Sequence, residues 1–378
     1  MRNIKLIKNL KGKTVLVRVD FNVPIVDGKV EDDFRIIKAL PTIQFLQKKG
    51  AKVVLIAHLG KGGESLALVA KVLNKFIKTK FVPDIIGAEA QNAVKEMKNG
   101  EIVLLENLRN DVGEEGCSKL FAVNLAQLAD VYVNEAFSVS HRSDASIVLL
   151  PKIMPSYAGF QLEEEVKNLS HAFDAKLHPF LFILGGAKFS TKMPVIKKYL
   201  KFADYVFIGG ALLNDFLKAE GLNVGKSLVD DDTNYGIKEL LKNKLARQGG
   251  KLILPTDVVV RSEGKLENKK VNHLDKKDNI LDVGSESVEN LASLIKKAKL
   301  IIWNGPLGKY EDGGGMATEK VLKLVAGSKA KSIIGGGDTV SIISEMNMED
   351  KFTFVSTGGG ATLDFLVDGT LVGIKALK

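Results

Sequence analysis

Short apolar runs alternate with amphipathic stretches along almost the whole chain. In the first half, Thr14 to Asp20, Lys52 to Ala57, Glu101 to Leu105 and Asp130 to Asn134 are nearly continuous apolar runs, the pattern of strands buried on both faces. Between them, Leu66 to Ile77 and Ser118 to Leu128 repeat apolar residues at helical spacing. This alternation predicts βαβ units with right-handed crossovers around a parallel sheet. A second series opens near Phe180, and its apolar runs end in glycines. Phe180 to Leu184 leads into Gly185-Gly186-Ala187-Lys188, Val206 to Ile208 into Gly209-Gly210, and Leu300 to Trp303 into Asn304-Gly305-Pro306. Ile333-Ile334 leads into Gly335-Gly336-Gly337-Asp338-Thr339, and Phe352 to Val355 into Ser356-Thr357-Gly358-Gly359-Gly360. Glycine at a strand end lets backbone approach a ligand closely, so several such ends side by side predict a phosphate-binding rim.

A chain of 378 residues exceeds what one core usually organises, so two domains are expected. Gly159 to Phe173 carries Phe160, Leu162, Val166 and Leu169 at helical spacing, with Glu163-Glu164-Glu165 early, where acids suit a helix N-terminus. It reads as one helix joining two α/β domains. Ser262 to Lys277 lacks apolar periodicity and is expected to be a loop or hairpin excursion. The expected fold is therefore α/β: two doubly wound, Rossmann-like parallel-sheet domains joined by a helix, with a cleft between them.

Composition removes several function classes. No apolar stretch reaches the roughly 18 to 20 residues of a membrane span. The basic start Met1 to Lys13 lacks a signal peptide's apolar block, so a cytoplasmic protein without a membrane partner is expected. A lone cysteine, Cys117, leaves no intrachain disulfide. The net charge of +9 comes from dispersed lysines without an aromatic-interleaved stripe, which argues against a nucleic-acid partner. Only seven of the 54 basic residues are arginine, and Arg2, Arg18, Arg35, Arg109 and Arg142 fall in the first 142 positions. Where lysine is the default cation, arginine marks places that need a planar fork for phosphate or carboxylate. Gly221 to Ser227 imitates a P-loop but has three residues between its glycines where four are required, and it follows a helical pattern. The five histidines are dispersed, without zinc-ligand spacing.

Ligands of open parallel sheets bind beyond the carboxyl ends of the strands. In the first domain those ends carry Asp20-Phe21-Asn22, His58-Leu59-Gly60, Glu106-Asn107-Leu108-Arg109 and Asn134-Glu135, with His141-Arg142 shortly after. That rim suits a small anion, whereas the glycine-rich ends of the second domain suit a nucleotide. These segments, together with Val17 to Pro24, Ala57 to Gly60, Leu104 to Arg109, Leu184 to Lys188, Trp303 to Pro306, Gly335 to Thr339 and Ser356 to Ala361, are collinear. In that order they resemble the phosphoglycerate kinase family.

The resemblance implies reversible phosphoryl transfer between ATP and the carboxylate of 3-phosphoglycerate, with Mg2+, by a monomer. It implies an acceptor-binding domain over 1–158, a linking helix over 159–173, and a nucleotide-binding domain over 174–365. The tail 366–378 would return to the first domain. Asp20, Asn22, Arg35, His58, Lys61, Arg109 and Arg142 would bind the phosphoglycerate. Arg35 and Lys188 would be catalytic, with the backbone N–H groups of Gly337 and Gly360. Gly186, Lys188, Lys192, Gly210, Asn304, Glu311, Gly337, Asp338 and Thr339 would bind ATP or ADP, and Asp338 the metal. The spacing of Lys188 and Lys192 places both ammonium groups on one helix face.

The chain departs from the family pattern in places. Lys61-Gly62 stands for a usual arginine and proline, Asp144 for a usual histidine, Ser138 for a glycine, Thr191 for an aspartate, Ala211 for a third glycine and Val372 for a proline. Met316-Ala317 also interrupts a familiar Gly-Thr. Weaker substrate-phosphate binding and a tighter adenine wall are the expectations. A kinase of another small carboxylate or carbamate, a nucleotide binder without turnover, and a basic nucleic-acid-associated protein are the competing classes.

Overall fold

The computed structural model describes residues 1–230, 234–242 and 250–377. It divides into two compact units, Met1–Lys167 with Asp368–Lys378, and Asn168–Val367. Lys378, the last residue of the expected tail, and residues 231–233 and 243–249 of the expected second domain lie outside the described residues.

The first unit is built on a six-stranded sheet in the order Lys80–Phe81, Ile102–Leu104, Lys52–Ile56, Thr14–Arg18, Val131–Asn134, Ser156–Ala158. Every neighbouring pair is parallel. Val15, Val17, Val53, Leu55 and Leu104 form one face and pack on Ile36, Ile43, Leu46, Val69 and Leu73. Leu16, Val54, Val103 and Tyr132, also buried, alternate onto the opposite face, as the two-residue period requires. The first strand in the chain lies inside the sheet; the chain runs outward through Lys52–Ile56 to the edge strand Lys80–Phe81, turns back to Ile102–Leu104 and then crosses to Val131–Asn134 and Ser156–Ala158. The reversal of direction falls between Thr14–Arg18 and Val131–Asn134.

Within this frame some expected elements are shorter than their apolar patterns. The helix anticipated over Leu66 to Ile77 is regular over Ala67–Leu73. Asn74 then turns the chain, donating from Nδ2 to the Ala70 and Thr79 carbonyls and accepting from Thr79 N–H. Ile77 stays buried beyond the helix. The stretch from Gly159 forms the helix Phe160–Leu169 and a 3-10 turn over Ser170–Phe173. The chain passes from the first unit to the second within that helix and returns at Val367/Asp368. The terminal helix Val372–Ala376 is tied down by Gly373 N–H donating to the Ser140 carbonyl at 2.8 Å.

The second unit carries a parallel sheet in the order Leu252–Ile253, Tyr205–Ile208, Phe180–Leu184, Leu300–Asn304, Lys331–Gly335, Phe354–Val355. Each of the glycine-ended runs is a strand of this sheet. The order is that of a doubly wound dinucleotide-binding fold, with its reversal between Phe180–Leu184 and Leu300–Asn304. Both sheets are thus of the expected α/β, parallel kind. The polar segment after Ser262 is a hairpin: Asp257–Ser262 pairs antiparallel with Lys265–Lys270 and also with Asn279–Val283. Lys265–Lys270 is mostly exposed on both faces, which is why no apolar period betrays it. Among the described residues no helix is long and apolar enough to cross a membrane.

Candidate active site in two halves

In the first unit, the predicted residues lie beyond the carboxyl ends of Thr14–Arg18, Lys52–Ile56, Ile102–Leu104 and Val131–Asn134. Asp20 and Asn22 follow the strand Thr14–Arg18, and Arg35 is the second residue of the helix Phe34–Lys48. Arg35 Nη1 lies 3.1 and 3.0 Å from the two Asp20 carboxylate oxygens and donates to the Asn22 carbonyl at 3.2 Å. Ser138 Oγ donates to Asp20 Oδ2 at 2.6 Å. Asn22 Oδ1 accepts the Gly60 N–H at 2.9 Å, so the Asp20 and His58 loops are cross-linked. Asn107 uses its whole amide to join the next pair of loops: Oδ1 accepts from Leu59 and Arg109 N–H, and Nδ2 donates to the Leu59 and Glu64 carbonyls.

Arg109 donates through Nη1 to the Gly60 carbonyl, and its Nε lies 3.1 Å from Glu115 Oε1. Arg142 Nη1 lies 3.9 Å from the same oxygen. Neither Nε nor Nη2 of Arg109, both buried, has a hydrogen-bond partner. Lys61 is exposed on the neighbouring loop. His58 is buried, and burial, followed by Arg18, Arg109, Arg142 and Arg35, holds its pKa far below the ordinary imidazole value. Its Nδ1 lies 3.2 Å from Arg18 Nη2. Because a guanidinium can only donate, Nδ1 is the acceptor, and the neutral ring carries its proton on Nε2.

Arg18, one of the singled-out arginines, is not itself a surface for ligand. It is fully buried, donating to Ser146 Oγ at 3.0 Å and the Val19 carbonyl at 2.8 Å, with Glu114 Oε1 at 3.8 Å. Ser146 in turn donates to Glu114 through both N–H and Oγ. The clue available in the sequence was an arginine inside an apolar strand, since buried charges need partners. Glu114, Glu115, Ser138 and Ser146 carried no comparable local signal, because their contacts join segments far apart in the chain.

In the second unit, Gly185-Gly186 and Asn304-Gly305-Pro306 meet at the sheet reversal, the place where ligands bind in such folds. Lys188 is exposed at the N-cap of the helix Phe189–Phe202. Lys192 is buried and turns back to donate to the Gly185 carbonyl. Lys188 therefore precedes the helix face on which the spacing placed both ammonium groups. Burial pulls the Lys192 pKa down to about 8, with Asp338 pulling the other way and Lys188 adding to the fall. The three side chains are thus electrostatic neighbours. Asp338 is exposed in the first turn of the helix Gly337–Glu345. Thr339 Oγ1 and Asn304 Nδ2 are buried without hydrogen-bond partners. Trp303 Nε1 donates to the Gly305 carbonyl at 2.7 Å and fixes that loop. Glu311 lies on an exposed 3-10 turn over Tyr310–Asp312.

The glycines divide into two kinds. A Cβ on Gly210, which has φ +63°, would lie 2.4 Å from Gly186 N, and one on Gly185 would lie 2.0 Å from the Pro306 carbonyl oxygen. These glycines let the loops approach one another. Gly337 and Gly360 have nothing within 4 Å of a Cβ, and both open helices, Gly337–Glu345 and Gly360–Asp368. As first residues of these helices their N–H groups have no partner within the helix, the arrangement that suits an anion. A cavity of about 210 Å³ beside Gly210 and Ala211 is bounded by Leu213, Asn214, Leu281 and Leu307. Gly221–Ser227 does follow a helix, Ala211–Ala219, and its Lys226 N–H donates to the Asp278 carbonyl. It is packing, not a phosphate loop.

Among the described residues there is no cluster of three or more metal-ligating side chains. A magnesium ion bound mainly through nucleotide phosphates needs only one or two protein carboxylates, and the exposed Asp338 fits that demand.

The sequence model for phosphoglycerate kinase matches residues 4–369. The phosphoglycerate kinase of Wolbachia sp. subsp. Drosophila simulans (strain wRi) is 42% identical, covering 100% of this chain and 99% of that protein. The phosphoglycerate kinase of Coprothermobacter proteolyticus is 42% identical over 97% of this chain and 96% of its own length. Among solved structures, phosphoglycerate kinase from Pyrococcus horikoshii OT3 superposes with a TM-score of 0.88 at 31% identity, over 100% of this chain and 98% of that one. That from Coxiella burnetii gives 0.84 at 34% identity, over 99% and 98%.

Proposed function

The chain belongs to the phosphoglycerate kinase family, and on that premise we propose how its own residues divide the reaction. The reaction moves a phosphoryl group between ATP and the carboxylate of 3-phosphoglycerate, giving 1,3-bisphosphoglycerate and ADP, in glycolysis and gluconeogenesis. The first unit takes the acceptor and the second the nucleotide. One observation carries this assignment: buried polar atoms on Arg109 in one unit, and on Asn304 and Thr339 in the other, lack hydrogen-bond partners. Buried donors are seldom left so, and each set stands beyond the carboxyl ends of its sheet's strands, where ligands of such folds bind.

The acceptor carboxylate is already ionised at neutral pH, so the protein needs no general base. Its work is positioning and neutralisation of charge. Arg109, Arg142 and Lys61 hold the phosphate end, with Asp20 and Asn22 shaping the site and His58 donating from Nε2. Arg35 reaches the reacting carboxylate, and Lys188 steadies the phosphoryl group in transit. Lys192, Gly186, Gly210, Asn304, Glu311 and Thr339 border the nucleotide, with the N–H groups of Gly337 and Gly360 on its phosphates. Asp338 would hold Mg2+, which supplies neutralisation of phosphate charge when bound. A cytoplasmic monomer is the form proposed.

The test is ADP release from ATP and Mg2+ with 3-phosphoglycerate, acetate or carbamate as acceptor, in wild type, Arg35→Ala and Lys188→Ala. Turnover should need 3-phosphoglycerate, and each substitution should lower kcat on the order of 10²-fold or more. Near-normal turnover in Arg35→Ala would refute its role.

A further inference from the structure

Asp144 is a buried carboxylate, 6% exposed, at the N-cap of the short helix Ala145–Val148. An aspartate there ordinarily accepts the N–H of the second or third helical residue. This side chain makes no capping bond; the Asp144 main-chain carbonyl takes the Ile147 and Val148 N–H groups. Its Oδ2 is buried without a hydrogen-bond partner, an arrangement that is unfavourable unless a ligand completes it. Capping therefore does not explain the residue.

The charged groups facing Asp144 are Arg18, Arg142 and Arg109, with Glu115 and Glu114. Each of these arginines is within ion-pair distance of another carboxylate: Arg18 of Glu114, and Arg109 and Arg142 of Glu115. Arg109 also keeps two buried N–H positions without hydrogen-bond partners. Of the two, Nε faces Glu115 Oε1 at 3.1 Å, so the pocket contains one unused donor, Arg109 Nη2, and an unused carboxyl oxygen within reach of one another's charge. Burial raises the Asp144 pKa against the pull of the arginines. A bound anion pushes in the same direction, because an ionised Asp144 would repel it and a protonated one would donate to it.

We propose that Asp144 acts as a carboxylic acid in the acceptor pocket, donating a hydrogen bond to the phosphorylated acid that Arg109 and Arg142 bind, so that this substrate enters together with a proton. The proposal rests on the first unit's assignment to the acceptor. It makes Asp144 a residue that sets which protonation state of enzyme and ligand is bound. No bond to carbon or phosphorus changes in this step.

Calorimetric titration of the full-length enzyme with 3-phosphoglycerate, from about pH 6 to 8 in buffers of different ionisation enthalpy, tests it. Asp144→Asn supplies an N–H donor that does not titrate, and Asp144→Ser supplies a non-titrating O–H donor should the first fail to fold. The substrate's own titration is common to all and cancels. Wild type should take up more protons than either variant, by at most about one. Its affinity should fall with pH more steeply than theirs, by up to about tenfold per unit. Equal uptake and parallel pH profiles would overturn the proposal. Arg109→Ala separates the two layers. If it leaves 3-phosphoglycerate affinity unchanged, the acceptor assignment has failed and the proposal with it. If it weakens binding while wild type and Asp144→Asn run in parallel, only the role of Asp144 has failed.

Discussion

Arg18 occupies the last position of a buried strand, and its guanidinium meets Ser146, the Val19 carbonyl, His58 and Glu114. Removing one partner of a buried pair costs more than the pair itself contributes, because the other charge stays behind without compensation. Arg18→Met should therefore destabilise the protein by roughly 3–5 kcal/mol, read as a shift of the urea midpoint. Adding Glu114→Leu should recover part of that loss, since the two sites share one interaction. A loss below about 1 kcal/mol in the single variant, or strict additivity in the double variant, would show the pair to be idle. The same side chain fixes the His58 tautomer, so a buried residue decides which ring nitrogen of His58 can donate.

Each glycine-bearing strand end in the second unit is a short element with one of two duties. At Gly210 the left-handed φ and the 2.4 Å approach to Gly186 N leave no room for a side chain. Gly210→Ala should cost at least about 1–3 kcal/mol of stability through strain and displacement of the neighbouring loop. Gly337 faces open space at the start of its helix, so Gly337→Ala should leave the melting temperature nearly unchanged. That variant should instead raise the KM for ATP by about tenfold or more if the proposed nucleotide site holds, because a methyl group would stand before the helix N-terminus assigned to phosphate. Thermal unfolding and ATP kinetics on both variants check this. Equal effects on stability would erase the distinction.

At the scale of the whole molecule, buried ionisable groups set how stability depends on pH. Burial raises Glu135 to about 8, against hydrogen bonds from Thr42, Gln161 and Leu162, and raises Asp282 to about 7. The native state holds these protons more tightly than the unfolded chain. Their stabilisation is complete below about pH 4, near the unfolded carboxyl values, and is lost as pH rises through 7 and 8. His58 has the opposite sign: its lowered pKa contributes stability above about pH 6.5 that is lost as pH falls. Above about pH 6.5 the histidine contribution is constant, so stability should decline toward pH 8, on the order of 1 kcal/mol per unit per carboxyl. Denaturant midpoints measured across that range in wild type and Glu135→Gln test this, the variant losing much of the decline between pH 7 and 8. An identical slope in both would exclude Glu135 as a source.

The apolar rhythm of the chain determined the α/β class, the parallel strands and nearly all the strand ends at which the candidate residues stand, because burial on both faces imposes a continuous apolar run wherever a strand is central. It also determined which types stand at those ends: arginines and a histidine in one unit, glycines and lysines in the other. Tertiary structure alone decided their use. Glu114 and Ser146 reach Arg18, Ser138 reaches Asp20, and Glu115 lies between Arg109 and Arg142, contacts made across loops whose separation in sequence leaves no periodic trace. Tertiary structure likewise separated the glycines that serve packing from those that face open space, because a missing Cβ reads the same in sequence whether backbone or empty space lies in front of it.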